Sequence, residues 1–154
     1  MKILMVCLGN ICRSPMAEGV LRKKLTEQGY GHVTTDSAGT SAYHIGEAPD
    51  QRMRMTAKAK GVSIDDLCAR QFVAADFDKF DLIYVMDASN YKNVIALAQS
   101  EEDKAKVKLI LNEINPETNQ AVPDPYFGGD EGFEHVFELL DKATDVIIDK
   151  YVKR

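Results

Sequence analysis

Cys7 ends a short apolar run, Ile3-Leu4-Met5-Val6, and Arg13 follows it after a stretch that holds Gly9 and Asn10, with Ser14-Pro15 directly behind. These types at these spacings suit an oxyanion and a sulfur nucleophile. A phosphate monoester needs several donors aimed at its oxygens and a nucleophile in line with the leaving group. The stretch from Cys7 to Arg13 is short enough to curl, so that backbone N–H groups across Leu8, Gly9, Asn10, Ile11 and Cys12 point inward as an anion nest. Gly9 permits a backbone angle that a side chain would hinder, and Asn10 tolerates the left-handed region. Arg13 offers a planar fork for two phosphoryl oxygens, which a lysine cannot match. Ser14 suits an N-cap and Pro15 a first helical position, so a helix is expected to aim its positive end at the loop. The same donors favour the thiolate of Cys7, the form that attacks. A hydrogen bond from Ser14 would ease the sulfur's later departure.

The bland reading of Cys7 is a small buried hydrophobe after a strand. The Gly, Arg, Ser and Pro at fixed offsets argue against it. The loop lacks the lysine of a Gly-x-x-x-x-Gly-Lys motif and the spacing of a dinucleotide fingerprint. No metal site is expected: Cys7 and Cys12 are too far apart for a tight knuckle, and His32, His44 and His135 are scattered. Three cysteines, Cys7, Cys12 and Cys68, are too few for a disulfide scaffold.

The rest of the chain reads as alternating strand and helix. Ile3–Val6 is a buried parallel-type strand, and a helix from Ser14 carries Ala17, Val20, Leu21 and Leu25 on one face. His32–Ser37 reads as a second strand, Ser37–Pro49 as loop, and Pro49–Lys60 as a helix stopped by Gly61. Asp81–Met86 is a third strand with a helix after it to about Ala98, and Val107–Leu111 a fourth strand. Glu101 to Lys104 is a charged, solvated helix end or turn. Residues 112–132, with three prolines and three glycines, are irregular and long enough to suspect a function. Phe133, Val136, Phe137, Leu140 and Ile147 keep helical spacing in a last helix. Such alternation predicts an α/β domain, residues 1–154, with a parallel sheet covered by helices on both faces. Ligands in such folds sit beyond the carboxyl ends of the strands, where Cys7 emerges.

At 154 residues the chain fits one domain. A formal charge of −5 argues against nucleic-acid binding, so an anionic substrate must be drawn by a local site. No apolar stretch approaches membrane-spanning length, and the apolar start is too short for a signal peptide. The expected compartment is the cytoplasm, with no membrane partner.

The stretch Val6-Cys7-Leu8-Gly9-Asn10-Ile11-Cys12-Arg13-Ser14-Pro15-Met16-Ala17-Glu18 resembles the signature of the low-molecular-weight protein tyrosine phosphatases. The likeness extends to Asp36–Ser41, Met86–Asn90 and Asp124-Pro125-Tyr126. It implies a four-stranded parallel sheet of the doubly wound, flavodoxin-like type. It implies hydrolysis of protein phosphotyrosine through a phosphocysteine on Cys7, with Arg13 binding the phosphoryl group, without cofactor or metal. Asp124, between Pro123 and Pro125, matches the family's general acid, which must protonate a phenolate leaving group. Tyr43 and Tyr126 match walls of the substrate cleft. Asp87 matches a residue that supports the arginine and reads also as a helix N-cap. Asn10 and Ser37 resemble the pair that fixes the loop's strained turn by hydrogen bonding. The implied partner is a tyrosine-phosphorylated protein; oligomeric state is left open.

Three departures matter. Leu67 stands near a position where many relatives carry histidine. Phe127 stands where some have a second tyrosine. Ile11 replaces the threonine of the protein-arginine phosphatases, which favours phosphotyrosine over phosphoarginine. The resemblance also offers Cys12 as a partner that captures oxidised Cys7 in a disulfide, so the activity is expected to be redox-sensitive; the alternative is that Cys12 only packs behind the loop. Two rival activities are weaker. Arsenate reduction on this fold needs resolving cysteines, and residues 73–154 contain none. A non-catalytic phosphoprotein-binding module would be expected to lack Asp124.

Overall fold

In the computed structural model, which describes residues 1–126 and 128–153, β1 (Lys2–Cys7) lies inside a four-stranded sheet. Its neighbours are β2 (Thr34–Gly39) on one side and β3 (Leu82–Val85) on the other, and β4 (Val107–Leu109) forms the far edge beside β3. All pairings are parallel: Lys2 faces Thr34 through to Cys7 opposite Gly39, and Ile3 faces Leu82 through to Val6 opposite Val85. β1 is an apolar run because both its faces are covered. Ile3, Met5 and Cys7 point into a core built with α1 (Arg13–Glu27), α2 (Gln51–Ala59) and Phe133 to Ile147. Leu4 and Val6 point into a second core with Phe77 of α3 (Asp76–Lys79) and Val94 of α4 (Ala88–Ile95). α5 (Glu101–Ala105) buries no side chain, as its charges anticipate, and α6 (Asp130–Ile147) closes the first face. The expected doubly wound architecture is borne out. The chain reverses direction across the sheet at β1, so the switch-point crevice opens at Cys7. Among the described residues, no helix is long and apolar enough to cross a membrane.

Several boundaries moved for local reasons. β2 starts at Thr34 rather than His32, because Val33 N–H still bonds the turn at Tyr30 while Thr34 N–H is the first to reach Met1 across the sheet. It runs on to Gly39, which a strand reading broken at Ser37 missed. The fourth strand ends at Leu109, where Ile110–Glu113 tightens into a 3-10 turn. The second helix begins at Gln51 with Asp50 as its N-cap, and Pro49 lies outside it. Ser14 is not the N-cap of α1. Arg13 already opens the helix, and the Ser14 hydroxyl is occupied by loop groups instead.

Glu18, on α1, is 5% exposed and accepts a hydrogen bond from Ser37 Oγ at 2.6 Å. Burial pushes its carboxyl up from 4.5 to about 7, against the opposing pull of the Ser37 hydrogen bond. The folded protein therefore holds a proton that the unfolded chain releases from about 4.5 upward. Stability from this group is complete below about 4.5 and falls as pH rises towards about 7. At about 1.4 kcal/mol per unit the loss is roughly 3 kcal/mol. Glu18→Gln removes that dependence. Urea unfolding at pH 5 and pH 8 is expected to show the variant gaining on wild type by about 2–3 kcal/mol between the two. A gap that stays constant with pH would mean that Glu18 does not titrate in this window.

Candidate active site

The loop between β1 and α1 closes on itself through Asn10. This residue takes φ +57°, the left-handed conformation anticipated for it. Its backbone N–H points at Cys7 Sγ from 3.3 Å, its Nδ2 donates to Ser14 Oγ at 2.8 Å, and its Oδ1 accepts from Arg70 N–H at 3.0 Å. The sulfur has a second neighbour in Ser14 Oγ at 3.0 Å. Gly39, at the end of β2, lets this loop approach: a Cβ there would lie 2.8 Å from the carbonyl oxygen of Leu8. The sulfur thus lies buried at the switch-point crevice, with Asn10 N–H and Ser14 Oγ beside it.

Arg13 is 3% exposed, and its position is over-determined. Nη1 donates to Asp87 Oδ2 at 2.8 Å and to the Val122 carbonyl at 3.0 Å. Asp87 also caps α4 by accepting from Asn90 N–H at 2.8 Å, so one carboxylate joins Arg13 to the start of that helix. Nη2 of Arg13 faces Asp124 Oδ2 at 3.7 Å. Asp124 is half-exposed and takes the Tyr126 N–H on Oδ1 at 3.1 Å.

One cavity of about 160 Å³ joins these groups. The loop contributes Cys7, Leu8, Gly9, Ile11, Cys12 and Arg13; the chain after β2 contributes Ser41, Tyr43 and His44; the 122–126 segment contributes Asp124 and Tyr126. Tyr43, 86% exposed, and Tyr126 give the mouth an aromatic rim with Leu8. Cys7 and Cys12 are both buried free thiols on this wall, whereas Cys68 is exposed. Burial, and next the negative charge of Asp50, push the Cys12 thiol up far beyond neutral pH, so it stays protonated.

One expected contact is different. Ser37 Oγ donates to Glu18, not to Asn10, whose side chain is already taken by Ser14 and Arg70. Leu67 packs against the apolar core near the place where a histidine was expected. Phe127 lies outside the described residues. The sequence reading missed His44, whose ring edge lies 3.1 Å from where a Cβ of Gly9 would be and whose Nδ1 pairs with Glu47 at 3.0 Å. It also missed Arg70, which joins Asp36 and Asp76 through its guanidinium while its N–H holds Asn10. The His44–Glu47 spacing was visible, but the loop around it has no periodicity to orient a side chain.

A doubly wound domain with a cysteine and a buried arginine at the switch point is built to receive an oxyanion next to sulfur. The family model for low molecular weight phosphotyrosine protein phosphatases matches residues 2–154, and the chain belongs to that family. The low molecular weight protein-tyrosine-phosphatase of Streptomyces coelicolor is 42% identical over 93% of this chain and 88% of its own length. The human low molecular weight phosphotyrosine protein phosphatase is 39% identical over 96% and 94%. A crystal structure of a protein tyrosine phosphatase from Entamoeba histolytica, with Hepes in its active site, superposes with a TM-score of 0.93 at 39% identity, covering 99% of this chain and 97% of that one.

Proposed function

We propose that this chain hydrolyses phosphotyrosine in proteins, and small aryl phosphates, through a phosphocysteine on Cys7. The observation that carries the reading is the convergence of Cys7, Arg13 and Asp124 on one cavity, with Arg13 Nη2 3.7 Å from the Asp124 carboxylate. Phosphoryl oxygens are taken up by the loop amides and the guanidinium of Arg13, which Asp87 and Val122 hold rigid. The thiolate of Cys7 attacks phosphorus, the bond to the aryl oxygen breaks, and Asp124 gives that oxygen a proton so that a phenol leaves. Water then attacks the phosphocysteine and gives its proton to Asp124. The S–P bond breaks, inorganic phosphate forms, and the departing sulfur is met by Ser14 Oγ and Asn10 N–H. Tyr43 and Tyr126 flank the substrate ring.

The phosphorylated residue is tested with peptides of one sequence carrying phosphotyrosine, phosphoserine or phosphoarginine. A rigid ring spans an aromatic-lined cavity, whereas a phosphoserine is too short to carry its phosphorus to the sulfur past the rim. The phosphotyrosine peptide is expected to have the highest kcat/KM, with phosphoarginine well below it, as Ile11 at the loop suggests. Equal or faster turnover of phosphoarginine would overturn the choice of substrate.

A further inference from the structure

We propose that Arg52 is a positioning residue for the general acid, clamping the segment that carries Asp124 to the N-terminus of α2. The proposal rests on the reading of Asp124 given above.

Asp124 sits on backbone with no regular structure, so something other than a helix or sheet ladder must fix it. Two residues before it, the Val122 carbonyl accepts from Arg13. Two residues after it, the Tyr126 carbonyl accepts from Arg52 Nη2 at 2.9 Å. The acid is therefore held between two carbonyls, each bound by an arginine. The guanidinium carbon of Arg52 also lies 5.6 Å from the Tyr126 ring centroid and 4.6 Å from that of Phe133 on α6, both within cation–π range.

The other side of Arg52 leads to the nucleophile loop. Its Nε and Nη2 donate to the two oxygens of Asp50 at 3.1 and 3.0 Å. Asp50 caps α2 by accepting from Arg52 N–H at 2.8 Å, and its own N–H donates to the Ile11 carbonyl at 2.8 Å. A continuous chain of bonds thus runs from Ile11 through Asp50 and Arg52 to Tyr126. The loop that holds the nucleophile and the segment that holds the acid are mounted on one helix end. This needs a planar fork that pairs with a carboxylate, lies against two rings and still has an N–H for a carbonyl; an ammonium cannot do all three. Arg52 is 40% exposed on its side chain, so the Asp50 pair itself contributes little to stability. Arg52 is not among the described residues that line the cavity, so it acts through a neighbour, and its bond to the Tyr126 carbonyl ties it to the acid segment. A misplacement of about 1 Å can cost about 10²-fold in rate.

The test compares wild type, Arg52→Ala, Arg52→Lys, Asp124→Asn and Arg52→Ala/Asp124→Asn on a phosphotyrosine peptide and on an aryl phosphate with a more acidic phenol. Arg52→Ala is expected to lower kcat on phosphotyrosine by about 10–100-fold and less on the acidic ester, the signature of a displaced acid. Arg52→Lys should fall in between. Alkylation of Cys7 by iodoacetate, inhibition by inorganic phosphate and the urea midpoint should stay near wild type. In the Asp124→Asn background, removing Arg52 should cost less than about 2-fold more, because the acid it positions is already gone. A wild-type kcat in Arg52→Ala, or losses that multiply in the double variant, would overturn the clamp alone. If Asp124→Asn itself loses equally on both esters, the acid assignment falls and the clamp with it.

Discussion

Cys7→Ser is expected to take phosphotyrosine turnover to the limit of detection while leaving inorganic phosphate binding in place. The loss should be on the order of 10⁵-fold or more, the scale seen when a covalent nucleophile is removed. The substitution exchanges one atom in a buried site, so Arg13, held by Asp87 and Val122, is expected to keep its place. What changes is the nucleophile. A serine hydroxyl beside these donors does not supply the anion that a thiol does, and the two groups bonded to the sulfur are not bases: Ser14 Oγ is a hydroxyl and Asn10 offers an N–H. Phosphate affinity is expected to hold, since Arg13 and its partners are unchanged. Calorimetry with inorganic phosphate and steady-state assays on the same preparation separate the two effects. A variant that keeps substantial turnover would remove Cys7 from the chemistry. One that loses phosphate binding as well would mean that the sulfur holds the loop's shape.

How much of this was legible beforehand follows from what each residue answers to. The loop was readable because its chemistry is local: Cys7, Gly9, Asn10, Arg13 and Ser14 lie within one turn of chain, and neighbours in sequence are neighbours in space. β1 was readable because burial on both faces of a parallel strand leaves an unbroken apolar run. Partners far along the chain were not. Arg70 holds Asn10 through a backbone N–H, a bond any residue type except proline could make, so its identity carries no signal. Ser37 was paired with Asn10, but it lies opposite Met5 on β2 and meets Glu18 on α1, a pairing set by how helix and sheet stack. Ser14 looked like a cap because capping and sulfur solvation ask for the same hydroxyl; the loop won, since Cys7 Sγ is 3.0 Å away. Arg52 was hidden for a similar reason. Its spacing from Asp50 reads as an ordinary helix start, and only the fold brings Tyr126 to it.

Asp124→Asn is expected to slow phosphotyrosine hydrolysis by roughly 10²–10⁴-fold, the usual worth of general acid catalysis. A tyrosine leaves as a phenolate whose conjugate acid has a pKa of about 10, so without a proton from the enzyme the aryl oxygen departs with full negative charge. The amide is nearly the same shape as the carboxyl, and its oxygen can still accept the Tyr126 N–H that Asp124 Oδ1 takes at 3.1 Å. The segment should therefore keep its path, with Val122 and Tyr126 still bound by the two arginines. The substitution also takes away the carboxyl that faces Arg13 Nη2 at 3.7 Å, a competitor for that guanidinium, so phosphate should bind at least as well as before. The discriminating measurement is a series of aryl phosphates. As the phenol becomes more acidic its oxygen needs less help, and the variant's deficit should shrink towards the rate set by attack of the sulfur. The second step gives an independent check, because the same carboxylate must take a proton from the attacking water. A phosphocysteine should therefore accumulate in the variant when the leaving group is good, visible as a burst of phenol on mixing. A deficit that is the same across the series, with no burst, would mean that Asp124 acts through the placement of Arg13 and not by moving a proton.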